Sequence, residues 1–279
     1  MSQPHTPSQP NHSVEHSGTL LETDDDIRQA LLAGIKSSEQ NITARPAVPY
    51  RPSGRPPLVL LTVCDDGAAD GEVVRIRSPR FIIGRTHGDL KIPFDKRMSS
   101  RHVEITHQRV GGIHRWVVTD LQSRHGLFVR VSRALLTDKA EIFVGKGRYR
   151  FDAPPSEPQD TGDNVPAEAD SNHTHALSEG AGAFRPPALT EILGEGIGNR
   201  IILVKPEYWI GSDSICLICR PDDQFCEPRH ARVYYTPKGQ WFAEHNKSQN
   251  GLWLRMSQVK VEKTIQFQIG EQRFRLKVQ

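Results

Sequence analysis

The sequence predicts an all-β protein: two β-sandwiches joined by a flexible linker, behind a mostly disordered amino-terminal tail. Three observations predict this. Short apolar stretches of period two run from about residue 57 onward, no long helical pattern separates them, and the whole pattern recurs after a Pro/Gly/Ser-rich interruption.

Residues 1–54 are rich in Ser, Pro, His and Asn, a composition that cannot bury a core. A short helix is expected within them at 23–37. Thr23 offers an N-cap, three aspartates suit a helix N-terminus, and Ile27, Ala30, Leu31 and Ile35 follow helical spacing. Residues 55–153 form the first β region, with strands at "LVLLTV", "EVVRIRS", "RFIIGR", "HVEITH", "RWVVTDL", "LFVRVS", "AEIFVG" and "RYRFDA". Residues 154–185 are acidic, without apolar period, and read as a flexible linker. Strands resume over 186–279, from "RIILVKP" to "RFRLKV".

The two β regions are one pattern written twice. Gly84 of "FIIGR" precedes Gly211 of "YWIGS" by 127 residues, and His102 of "RHVEI" precedes His230 of "RHARV" by 128. "SRHGLFVR" and "SQNGLWLR" keep an offset of 125 between Gly126 and Gly251, as do "VGKGRYRF" and "IGEQRFRL" between Gly145 and Gly270. Four landmarks in one order define a duplicated unit of about 95 residues, an ordinary domain size.

Bulk properties narrow the function. The formal charge of +3 across 279 residues demands neither nucleic acid nor a membrane surface. No stretch approaches the ~20 apolar residues of a membrane span, and the first residues lack the basic-then-apolar order of a secretory signal. Four unevenly spaced cysteines are no disulfide framework, so the expected location is cytoplasmic. No cofactor is implied.

The chemistry concentrates in "DKRMSSRHVEIT", residues 95–106. Loops at one end of a sandwich converge, which gathers Arg85, Ser99, Ser100, Arg124 and His125. A guanidinium fork, hydroxyl donors and turn N–H groups suit a phosphate, because charge-assisted and bidentate hydrogen bonds are the strong ones.

"IIGR", "MSSRH" and "DLQSRHGLFV" together resemble the forkhead-associated (FHA) domain, a phosphothreonine-recognition β-sandwich whose pattern is Gly-Arg, Ser-x-x-His and Asn-Gly. The resemblance covers most of 57–153 and, more weakly, 186–279; the tandem arrangement is similar to FHA proteins of bacterial type. It implies that Arg85 and Ser99 hold the phosphate, Ser100 adds a contact, and Arg124 touches the peptide backbone or flank. It implies structural roles for His102, Gly84 and Gly126 and, in the second copy, for Gly211, His230, Asn250 and Gly251. His125 stands where the family has asparagine, and an imidazole lacks an amide's bonding geometry, which puts peptide affinity in question and offers pH sensitivity. In the second copy Ser212 replaces the arginine and Glu227 the serine; this copy reads as degenerate for phosphate.

Other readings fare less well. Ser99 or Ser100 beside His102 is no hydrolase signature without a third group or an oxyanion hole. Cys216, Cys219, Cys226 and His230 present C-x2-C-x6-C-x3-H, which suggests zinc. The first copy has none of these cysteines, so Cys216 and Cys219 read as small buried apolar residues in a strand-like stretch, and His230 keeps its structural role. Arg97, Arg101, Arg109 and Arg124 form a basic group that would draw an acidic phosphopeptide; with no interleaved aromatics, nucleic acid is not favoured. Thr23, amid acidic residues, reads as a helix cap or, if phosphorylated, as a ligand for the first copy in the same chain or in a second molecule. The expected function is a non-enzymatic phosphothreonine-peptide adaptor in Ser/Thr-kinase signalling. The alternative is a phosphorylation-independent assembly protein.

Overall fold

The computed structural model describes residues 15–16, 18–26, 28–29, 58–64, 70–154, 186–194 and 196–279. Of the helix expected at 23–37, helical turns at 24–26 and 28–29 are described; the rest, and the linker beyond Pro154, lie outside the described residues.

The regular secondary structure of the described residues is almost entirely strand, as period-two patterning predicts. The tail contributes β1 (Glu15–His16) and β2 (Thr19–Leu21). The first repeat supplies β3 (Val59–Cys64), β4 (Gly71–Ile76), β5 (Arg80–Gly84), β6 (Leu90–Lys91), β7 (Val103–Val110), β8 (Ile113–Asp120), β9 (Leu127–Leu135), β10 (Glu141–Val144) and β11 (Gly147–Asp152). The second supplies β12 (Ala188–Leu193), β13 (Gly196–Ile202), β14 (Glu207–Gly211), β15 (Ile218–Cys219), β16 (Ala231–Tyr235), β17 (Trp241–His245), β18 (Leu252–Met256), β19 (Gln258–Val261), β20 (Thr264–Ile269) and β21 (Gln272–Val278). Alternation is clean in β11, where Gly147, Tyr149 and Phe151 are buried and the residues between them less so.

The front strands of each repeat pair among themselves: β3 with β4 and β6-β5-β7-β8 in the first, β12 with β13 and β15-β14-β16-β17 in the second. The back strands are exchanged. β21 pairs with β3, β19 with β8 and β20 with β9, while β11 pairs with β12, β10 with β18 and the end of β9 with β17. One half of the molecule is therefore β6-β5-β7-β8-β19 with β4-β3-β21-β20-β9. The other is β15-β14-β16-β17-β9 with β13-β12-β11-β10-β18. The repeat limits 55–153 and 186–279 are thus limits of sequence; each sandwich draws strands from both.

The crossing point is β9 against β18. Leu127 faces Met256, Val129 faces Leu254 and Val131 faces Leu252. Val129 and Leu254 are themselves equivalent positions, 125 residues apart, so a local two-fold axis passes between them. The sequence permits the crossing because "LFVRVSRAL" carries no Gly, Pro, Asn or Asp with which to turn back. Its first five residues are all buried, as befits a strand covered on both faces.

The tail holds more structure than its composition suggests. Leu20 and Leu21 of β2 pair with Arg133 and Val131 of β9. Behind β2, the carboxylate of Glu22 pairs with the buried Arg130 guanidinium, and Asp24 accepts a 2.8 Å hydrogen bond from Thr264 Oγ1. The repeat explains this arrangement. Arg130 is equivalent to Arg255, which pairs with Glu141, but the residue equivalent to Glu141 is Gln266. The tail supplies the carboxylate that the second repeat lacks.

Candidate functional site

Three loops of the first repeat meet beyond the ends of β5, β7 and β8. Backbone bonds tie the first two together: Arg85 N–H donates to Ser99 O at 2.9 Å, and His87 N–H to Ser100 O at 3.0 Å. This approach explains Gly84, since a Cβ there would lie 2.6 Å from His87 O and 2.9 Å from Arg101 Cα.

His102, fully buried, joins the loops to the third. Its Nδ1 accepts the Ser99 N–H at 3.1 Å, which leaves the proton on Nε2 to be donated to Gly126 O, also at 3.1 Å. Burial lowers its pKa and keeps it neutral. The turn carrying Arg124 and His125 is closed by Ser123, whose hydroxyl donates to Asp120 at 2.6 Å and accepts the Gly126 N–H at 3.0 Å.

These contacts bring the expected residues together. Ser99 Oγ accepts the Arg124 N–H at 3.1 Å and donates to no group among the described residues. Ser100 Oγ lies 2.6 Å from Thr86 Oγ1 and 2.7 Å from His87 Nδ1. Among the described residues, no carboxylate pairs with Arg85, Arg101 or Arg124. His125 is half-buried. Its pKa is lowered first by burial and then by Arg148, Arg124 and Arg97, so it is neutral at pH 7 and reports a cationic surrounding. The expected basic group divides, however. Arg109 lies near the far end of β7, six residues and ~20 Å from the strand's start beside the site, and Arg97 pairs with Glu271 at 3.3 Å.

Sequence reasoning missed Thr86 and His87, which adjoin Ser100, because neither lies in a repeated landmark. It also missed Asp95, for which a signal existed: Asp223 stands 128 residues later, at the offset of the two histidines.

The second repeat builds the same scaffold around different chemistry. Glu227 N–H donates to His230 Nδ1 at 3.2 Å, and His230 Nε2–H to Gly251 O at 2.9 Å. Ser212 N–H meets Glu227 O at 2.9 Å, as Arg85 meets Ser99. Where Ser99 offers a hydroxyl, Glu227 presents a carboxylate that accepts the Gln249 N–H at 2.5 Å. Asn250 is engaged at both ends, donating to Phe225 O at 3.1 Å and accepting from Arg273 at 3.2 Å. Cys216 donates to Pro228 O at 3.1 Å, and burial pushes the Cys226 thiol up to about 12. Cys216 and Cys226 are buried, but Cys219, expected to be buried, is exposed at the end of the short β15, and both nitrogens of His230 are committed to backbone groups.

The geometry disfavours a serine–histidine nucleophile at His102, whose ring bonds to backbone groups and to neither hydroxyl. Thr23 is a helix cap: its hydroxyl donates to Asp26 at 2.8 Å and accepts the Asp26 N–H at 3.3 Å.

The FHA domain family model matches residues 81–145 and 208–272, one segment in each repeat and each enclosing the three loops. No curated protein matches the chain. Among solved structures the chain is similar to full-length yeast Pml1p, with 18% identity, a TM-score of 0.24, and coverage of 42% of this chain and 74% of that one. It is similar to Mycobacterium tuberculosis EmbR in complex with a low affinity phosphopeptide, with 24% identity and a TM-score of 0.24, covering 36% of this chain and 25% of EmbR. The yeast Pml1 splicing factor, described with its integration into the RES complex, shows 17% identity and a TM-score of 0.24, covering 42% of this chain and 72% of that one.

Proposed function

We propose that this protein is a phosphothreonine-peptide-binding adaptor that reads the output of a Ser/Thr kinase through the loops of its first repeat. The observation that carries the reading is the joining of two loops by the 2.9 Å bond from Arg85 N–H to Ser99 O, with Arg85 paired with no carboxylate among the described residues and Ser99 Oγ accepting the Arg124 N–H at 3.1 Å. Ser100 and Arg124 extend the cationic, hydroxyl-rich surface, and the FHA matches enclose it. A phosphate dianion needs such donors and tolerates no carboxylate among them. The second repeat fails that requirement through Glu227, and it serves as scaffold and partner surface. Binding, rather than turnover, fits a site whose buried histidine is a strut.

The assembly alternative draws on one observation. Ile215, Leu217 and Phe225, around the second repeat's loops, are 63%, 53% and 39% exposed, an apolar surface suited to protein contact.

The test is fluorescence anisotropy of the full chain against phosphothreonine, phosphoserine and unphosphorylated peptide pools. Binding is expected for the phosphothreonine pool alone. Arg85→Ala is expected to weaken it ~100-fold, the scale of a lost hydrogen-bond set to a charged group. Equal binding of the unphosphorylated pool would transfer the function to assembly.

A further inference from the structure

The loops of the first repeat are held by the second. Three ties run between them, one to the loop that presents Ser99 and Ser100 and two to the Arg124–His125 turn. Asp95, 5% exposed, opens the loop that presents Ser99 and Ser100. One of its oxygens accepts the N–H groups of Arg97 at 2.9 Å and Met98 at 3.2 Å; the other accepts the N–H of Glu271, in the turn between β20 and β21, at 2.7 Å. Asp120, which orders Ser123 and hence the Arg124–His125 turn, donates its own N–H to Ser257 O at 2.8 Å. Arg255, at the end of β18, lies directly against Gly126. The left-handed φ of +86° there excludes a side chain, and a Cβ would reach within 3.1 Å of the Arg255 Cδ and Cζ.

Arg255 is itself fixed by a 2.7 Å bond to Glu141, whose other oxygen accepts two bonds from Arg148, the cation that after burial does most to lower the His125 pKa. The relation is reciprocal. Asp223 of the second repeat accepts the Lys146 N–H at 2.7 Å, and Arg130 lies against Gly251 as Arg255 lies against Gly126. The turns that make these ties follow the exchanged strands.

We propose that the first repeat's phosphate site is composite: Arg255, Ser257 and the Gly270–Glu271 turn of the second repeat are its positioning residues. Phosphopeptide recognition then belongs to the pair of repeats, and the second repeat, though without its own grip, is required for the first to have one. The proposal rests on the phosphothreonine reading for its ligand but not for its architecture.

Two arms test it, both on the full chain. In the first, a protease site is placed within residues 155–185 and cut. The halves are expected to co-elute on size exclusion as one species of the intact mass, 31.3 kDa, and to keep the peptide affinity. Separation into two folded monomers, with the amino-terminal half binding as tightly as the whole, would overturn the proposal. In the second arm, Arg255→Met removes the guanidinium and keeps the stem. Its phosphothreonine affinity is expected to fall at least ~5-fold, a modest coupling between sites, while the melting temperature changes little. Arg255→Lys is expected to restore part of the loss.

Hydrogen exchange gives a readout that needs no ligand: the Arg124 and Gly126 amides are expected to exchange faster in Arg255→Met. If the wild type binds no phosphopeptide, the reading of the ligand fails, and co-elution with exchange still decides the composition. Unchanged exchange and unchanged affinity in Arg255→Met would remove Arg255 from the site.

Discussion

At the scale of single residues, the site is governed by where one proton sits. His102 accepts from Ser99 and donates to Gly126, so its neutral ring with hydrogen on Nε2 is the form that joins two loops. His102→Ala would leave a part-buried N–H and a buried carbonyl without partners. At ~1–3 kcal/mol for each abandoned group, the loss is several degrees of melting temperature, read by calorimetry; an unchanged melting temperature would refute the strut. The residues of this site were legible in the sequence because Arg85, Ser99, His102 and Gly126 fall inside short motifs that recur at a nearly constant offset. Arg255 was not legible. Its role depends on a strand crossing that no local motif announces, and its equivalent, Arg130, faces a different carboxylate from a different part of the chain.

At the scale of elements, β9 is the hinge of the architecture. Val129, fully buried, is paired with Leu254 on one side and with Phe267 on the other. Proline there would remove a ladder N–H within a central strand and leave its buried acceptor unpaired, so Val129→Pro is expected to cost ~1–3 kcal/mol for that group alone. Because β9 serves both halves, the loss should appear in both: Trp116 and Trp241 fluorescence, one in each half's layer, should shift at the same denaturant concentration. Independent midpoints would mean that the halves do not depend on the shared strand. Strand existence was readable from alternation and turn chemistry. Strand partnership was not, since a repeat that pairs with itself and one that pairs with its neighbour present the same local pattern. β2 escaped notice for a related reason: three residues in a polar tail gain strand geometry only from the edge that β9 offers.

At the scale of the whole molecule, buried histidines set an acid limit. Burial, then the charges of Arg130 and His230, hold His245 down at about 4, and burial likewise lowers His102 and His230. A histidine kept neutral in the fold but free to charge when unfolded stabilises fully above its ordinary pKa near 6.5. That contribution is lost as the pH falls through 4. For His245 it amounts to about 3 kcal/mol at ~1.4 kcal/mol per pKa unit. Glu22, raised by burial despite Arg130, runs the other way and blunts the effect. Stability measured in urea is expected to fall between pH 6.5 and 4, and His245→Gln, which keeps a polar side chain, should flatten that slope. An identical slope in the variant would place the acid sensitivity elsewhere.

The local two-fold between Val129 and Leu254 has a genetic corollary. The arrangement is that of a strand-swapped homodimer whose subunits have been fused into one reading frame. In a homodimer every mutation is expressed twice, so a change that ruins one grip ruins both. Fusion lifts that constraint. One copy can exchange its serine for Glu227 while the other keeps Ser99, provided the strands lent across the axis still fit.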